Sequence, residues 1–191
     1  MKVQLIKEEI PFEEFFKIYK AHLRFEQFDG SMSKEVSRYS FEKSDAVAVL
    51  VYHVSKNAYV LVRQFRYPPL HHEDADPWLI EIVAGGKEEN EDDVSAAQRE
   101  VEEETGYKTL HIEKICKCYV SPGLMSERVT IFIADVDESS KTNEGGGAKG
   151  EDEDIELIWL PRKEASQWIN DQSLGDAKTI IALQWHLMNK K

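Results

Sequence analysis

Glu100, Glu103 and Glu104 stand at i, i+3 and i+4 in residues 85–107, GGKEENEDDVSAAQREVEEETGY; on a helix their three carboxylates share one face. Like charges at that spacing repel, and near a helix C-terminus the backbone dipole disfavours them further. Something cationic must offset that cost. Hard divalent cations take carboxylate oxygens, and magnesium favours a few carboxylates completed by waters and substrate phosphates. A solvated acidic face is the ordinary reading of a glutamate run. Glutamates alone do not decide between the two readings; the register of the whole segment, with Gly85 and Gly106 flanking the helix, does so below.

A helix must carry these groups. Asp92 or Asp93 can cap its start, it runs to Glu104, and Gly106 supplies the stop. Val94, Ala97 and Val101 recur at helical spacing and give it a narrow apolar stripe to bury. Ahead of it, AVAVLVYHV (46–54) and AYVLVRQFR (58–66) read as a β-hairpin through Ser55, Lys56 and Asn57, and WLIEIVA (78–84) as a strand leading into the helix. Strands are predicted near 109–120 and 128–136, then an acidic, glycine-rich loop, NEGGGAKGEDED, then the strand IELIWL. Helices are predicted over Lys163–Asn170 and Lys178–Asn189, the last apolar enough to cover a sheet face. This order implies an α/β (α+β) fold, a mixed sheet between helices. The first 44 residues differ in kind, with scattered aromatics and two expected strands joined through Asp29 and Gly30. A piece that small cannot bury its own core and should pack on the main domain or a second subunit. The expected division is a small N-terminal β lobe, 1–44, and a main domain, 45–191.

A chain of 191 residues with net charge −12 can build one substantial core, and its charge argues against nucleic-acid or anionic-membrane partners. It carries no apolar run long enough to span a bilayer, and MKVQLIKEEIPFEEF lacks a signal-peptide core. A cytoplasmic location is the expectation. Cys116 and Cys118, the only cysteines, alternate along KICKCYV and should point to one face of a strand as reduced thiols. His71 and His72, in HHEDADP, read as a solvated loop rather than metal ligands.

Residues 85–107 also fill every fixed position of the pattern G-x5-E-x7-R-E-U-x-E-E-x-G-U, U being bulky and apolar: Gly85, Glu91, Arg99, Glu100, Glu103, Glu104 and Gly106, with Val101 and Tyr107 in the apolar slots. Tyr107 is aromatic where an aliphatic residue is usual. The segment thus resembles the box of the Nudix hydrolases, which implies the Nudix fold and a magnesium-dependent cleavage of a diphosphate linkage. From FEEFF to KTIIALQWHL the chain resembles the ADP-ribose pyrophosphatase branch of that family, through FDGSMSKEVSRYSFE, VRQFR, PWLIEIVAGG, SPGLMSER and GEDEDIE. Pro122 lies sixteen positions after Gly106, the placement associated with ADP-ribose hydrolysis, although GDP-mannose hydrolases also carry SPG there.

The resemblance implies a site. The carbonyl of Ala84 and the carboxylates of Glu100, Glu104 and Glu153 would hold magnesium, with manganese as a substitute; Arg99 would hold Glu103, which assists the cluster; and Glu151 would be the general base. Glycines 145–147 and 150 would let the late loop close over the diphosphate. Phe15, with Phe16 beside it, would stack on adenine; Arg38 and Arg66 would contact the nucleotide or diphosphate; and Gly86, Ser121, Pro122, Gly123 and Glu127 would surround the ribose and diphosphate. Lys43 departs from the arginine usual in ADP-ribose enzymes, which weakens a bidentate phosphate contact there. The leading expectation is ADP-ribose hydrolysis to AMP and ribose 5-phosphate by a homodimer. GDP-mannose or a wider set of nucleotide sugars is the alternative, and a Nudix-fold nucleotide sensor a third, disfavoured by the intact glutamates.

Overall fold

The computed structural model describes residues 1–147 and 154–189. The chain forms two compact units, Met1–Ser44 with Tyr119–Arg128, and Asp45–Cys118 with Val129–Lys191. The first is discontinuous, where a single cut near residue 44 was expected. Hydrogen bonds explain the difference: Phe41 N donates to Leu124 O at 2.7 Å and Ser126 N to Phe41 O at 3.0 Å, so the distant segment pairs with the end of the N-terminal sheet.

That first unit holds an antiparallel sheet in order β1 (Val3–Glu13), β2 (Lys17–Phe25), β3 (Val36–Glu42). Three strands stand where two were expected. The missed one, VQLIKEEIPFE, contains a proline and alternates poorly, and its pairing with β2 slips between Leu5 and Lys7 and between Glu9 and Phe12. Such bulges break the period-two signal that marks a strand. Gly30, at φ +84°, turns the β2–β3 connection as expected.

In the second unit β4 (Ala46–His53), β5 (Ala58–Phe65), β6 (Trp78–Glu81), β7 (Val83–Gly86), β8 (His111–Tyr119), β9 (Arg128–Val136) and β10 (Glu156–Pro161) make one sheet. Its main path is β10-β5-β4-β9-β8, with β6 on β5 and β7 on β4, and β4 runs parallel to β9. Because β4 is covered on both faces, it reads as a continuous apolar run. Val47, Val49 and Val51 pack with Ala97 and Val101 of helix α1 (Asp93–Thr105), while Ala48 and Leu50 pack with Ala165 of α2 (Ala165–Asn170) and Leu183 of α3 (Ala177–Asn189). This is the expected mixed sheet between helices. Cys116 and Cys118 both lean on the α3 side as free thiols.

One predicted strand becomes two. WLIEIVA breaks at Ile82, where the chain leaves β5 and pairs with β4, and Ile82 N donates to Thr179 Oγ1 of α3 at 2.8 Å. The break swings β7 under α1 and so delivers Ala84, Gly85 and Gly86 to the acidic helix.

Candidate active site

Helix α1 begins as its sequence requires. Asp92 caps it, accepting from Val94 N at 2.9 Å and Ser95 N at 3.1 Å. It ends at Gly106, whose φ of +73° suits glycine at a helix stop. The last four carbonyls, which have no partner within a helix, are all satisfied: Glu102 by Gly106 N, Glu103 by Gly147 N at 3.2 Å, Glu104 by Gly146 N at 2.8 Å and Thr105 by Lys141 Nζ at 3.0 Å. Glycines 145–147 therefore do something other than lend the loop freedom. All three have positive φ, 71°, 101° and 101°, and a Cβ on Gly145 would sit 2.4 Å from Glu104 O. They dock the loop on the end of the acidic helix. Gly150, Glu151 and Glu153 lie outside the described residues.

Arg99 organises the carboxylates. Its Nε and Nη2 form a fork on Glu91 at 3.1 and 3.0 Å, Nη1 donates to Glu100 and Glu103 at 2.9 Å each, and Nη2 reaches Gly86 O at 2.9 Å. The expected Arg99–Glu103 bond is there, with three more partners. These charge-assisted bonds push the Arg99 guanidinium above its already high range, Glu91 first among the causes. In return the Arg99 hydrogen bond, helped by Glu88 N–H, holds the Glu91 carboxyl below its ordinary 4.5. Glu91 thus has a role that the sequence reading left unassigned; its fixed distance from Arg99 was the available signal.

Part of the cation demand predicted from the glutamate spacing is met by Arg99 and, at the helix end, by Lys141. Among the described residues Arg99 is one cation shared by three carboxylates, Glu91, Glu100 and Glu103. Glu104 is buried at 2 % exposure, the Glu100 side chain is 12 % exposed and that of Glu103 35 %. Glu100 lies so close to the β7 backbone that a Cβ on Gly85 would meet its Oε1 at 2.0 Å. Gly85 is a glycine for close approach. Two largely buried carboxylates one turn apart, beside the backbone that carries Ala84, fit a hard cation that keeps waters and phosphates as its other ligands. Among the described residues no three His, Cys, Asp or Glu side chains gather as a metal site.

Arg66, after β5, donates Nε to the buried Glu81 at 2.7 Å and lines a cleft of about 730 Å³ with Arg63, Trp78 and Leu79. Gly86 is exposed, with open space where a Cβ would project.

The remaining expected contacts belong to the first unit. Phe15 is 98 % exposed, whereas Phe16 stacks on Phe41 at 4.1 Å and packs near Phe12. The pair separates into one free ring and one structural ring. Arg38 is exposed on β3, with Nη1 on Ser37 O at 3.0 Å. Ser121, Pro122 and Gly123 form an exposed turn closed by Met125 N on Ser121 O at 2.8 Å. Glu127 is buried and paired with Lys43 at 2.8 Å, which gives the lysine at the departing position a defined partner. Among the described residues no helix is long and apolar enough to cross a membrane.

A family model, the NUDIX domain, matches residues 42–183. Relatives named GDP-mannose pyrophosphatase are 36 % identical over 184 residues in Cronobacter sakazakii, covering 96 % of this chain and 94 % of that protein, and 32 % identical over 182 residues in Pectobacterium atrosepticum, covering 95 % and 92 %. A further one, from Escherichia coli, is 32 % identical over 192 residues and covers 98 % of both chains. A solved structure described as an ADP compounds hydrolase superposes with TM-score 0.73 at 18 % identity, covering 100 % of this chain and 97 % of that one, a likeness of fold.

Proposed function

The chain belongs to the NUDIX family of hydrolases, and on that premise we propose that it hydrolyses the diphosphate bond of a nucleoside diphosphate sugar with the help of magnesium. The observation that carries this is the α1 cluster: Glu100 and Glu104 largely buried and one turn apart, Glu100 against Gly85, and Arg99 fixing Glu91, Glu100 and Glu103. A bound divalent cation would supply Lewis-acid stabilisation of the diphosphate and of the departing phosphate. Glu100, Glu104 and the Ala84 carbonyl would hold it, with Glu153 completing the set. Arg99 keeps Glu100 and Glu103 from splaying apart under their own repulsion. Glu151 takes the proton from the attacking water.

The substrate reading moves from ADP-ribose to GDP-mannose as the first choice, because relatives covering nearly the whole chain bear that activity in their names. ADP-ribose stays as the second reading on the placement of Pro122. The exposed Phe15 is our choice for the base-stacking ring, Arg38 and Arg66 for phosphate contacts, and Gly86, Ser121, Pro122, Gly123 and Glu127 for the surroundings of the ribose and diphosphate. We further propose a cytoplasmic homodimer, in which the exposed apolar residues of the N-terminal strands find cover. Phosphate release through a coupled phosphatase, with magnesium and an EDTA control, tests the function across GDP-mannose, ADP-ribose and UDP-glucose. A marked kcat/KM preference for GDP-mannose supports the first reading and one for ADP-ribose the second. No metal-dependent cleavage of any of the three overturns both.

A further inference from the structure

Arg66 is held from behind by a buried polar chain that begins on α3. Glu81, the last residue of β6, is 4 % exposed and accepts from Arg66 Nε at 2.7 Å and from Lys178 Nζ at 3.3 Å. Lys178 also donates to Asp176 at 2.6 Å. The second oxygen of Asp176 accepts from Thr179 N at 2.9 Å and Thr179 Oγ1 at 2.6 Å, and Thr179 Oγ1 accepts from Ile82 N at 2.8 Å. Two cations and two carboxylates therefore balance, with both carboxylates buried and Arg66 at the exposed end, and a buried charge is tolerated when so paired. The cluster grips the two residues, Glu81 and Ile82, at which the strand changes partner. Burial alone would raise the Asp176 carboxyl, but Lys178 and the Thr179 donors bring it below its ordinary range.

The arrangement does more than brace the strand break. Arg66 commits only Nε to Glu81; among the described residues no other hydrogen bond or ion pair takes its Nη1 or Nη2, and the side chain lines the cleft of about 730 Å³. A guanidinium fixed along one edge presents its other edge in a set orientation, and a phosphate oxygen pair suits that edge. We propose that Glu81, braced by Lys178, is a positioning residue that aims the free edge of Arg66 at the diphosphate of the substrate. This rests on the reading of Arg66 as a diphosphate contact. The positioning lowers the ordering cost of binding, so its loss should appear in KM before kcat.

Glu81→Gln keeps the shape and removes the charge, and Lys178→Gln removes the brace from the other side. With GDP-mannose and magnesium, each should raise KM about tenfold with kcat within about threefold, the size of one charge-assisted bond. Lys178→Arg should restore KM. Combined with Arg66→Ala, Glu81→Gln should add no further rise, since both act through one guanidinium. The Arg66 Nε–H signal in a ¹⁵N–¹H spectrum of ligand-free protein should shift in both Gln variants. A lowered Tm with unchanged KM, or KM effects that multiply in the double variant, overturns the proposal. An unmoved Arg66 signal does the same without reference to any substrate. Failure of the wild type to cleave any nucleotide sugar would instead strike the functional reading, leaving the spectrum to judge whether Glu81 and Lys178 set the arginine.

Discussion

Helix α1 and the N-terminal three-stranded sheet make opposite use of their side chains. Around α1 the polar groups are drawn together: Arg99 alone ties Glu91, Glu100, Glu103 and Gly86, and all four terminal carbonyls have donors, three of them from residues 141–147. In the N-terminal unit, Phe15 and Phe28, on the connections between strands, are almost fully exposed, and Val3, Leu5 and Ile10 of β1 are open as well. A helix tied down in this way has a fixed geometry suited to chemistry. A sheet that leaves large apolar groups in water has unspent surface for a ligand or a second subunit.

If that contrast is right, the largest effects belong to α1 and should spare the fold. Glu104→Gln should lower kcat about a thousandfold, a few kcal/mol of lost charge stabilisation, with the circular dichroism spectrum unchanged; full activity would remove Glu104 from the metal site. Gly85→Ala comes next. Its Cβ would meet Glu100 Oε1 at 2.0 Å, and displacing that carboxylate by about 1 Å should cost about a hundredfold in kcat. Activity within twofold of wild type would show that Glu100 can move at no cost.

The sheet should answer differently. Phe15→Ala should raise KM about tenfold, the worth of one base–aromatic stack, with no change in Tm because the ring is 98 % exposed; an unchanged KM would take Phe15 out of the pocket. Asp92→Ala reverses the pattern, costing about 1 kcal/mol of stability through the lost cap and lowering Tm by about 2–4 °C with little effect on KM.

The smallest effect concerns pH. Because the folded-state value of Glu91 lies below its ordinary 4.5, its contribution to stability is complete above 4.5 and is lost as pH falls through the lower folded value. Thermal melts from pH 6 to pH 3 should therefore show a shallower acid decline for Glu91→Gln than for wild type; parallel curves would mean that the Arg99–Glu91 fork contributes nothing to folding.

By itself the sequence determined what depends on local spacing. An aspartate cap at 92 or 93, the Gly106 stop, the shared carboxylate face, the hairpin of 46–54 with 58–66 and the alternation of Cys116 and Cys118 all follow from residue types and the helix and strand periods. Tertiary structure alone decided whatever depends on distant atoms. Strand β1 was hidden because its bulges erase the alternation, and segment 119–128 joined the N-terminal unit through hydrogen bonds to Phe41. Glycines 145–147, which read locally as freedom, set the chain against the end of α1: Gly146 and Gly147 donate to its carbonyls, and a Cβ on Gly145 would meet Glu104 O. Phe15 and Phe16, adjacent and identical in type, were separated into exposed and stacked rings by where Phe41 lies. The Glu81–Lys178 pair joins residues 97 positions apart: periodicity speaks for neighbours along the chain, and only the folded backbone chooses partners across it.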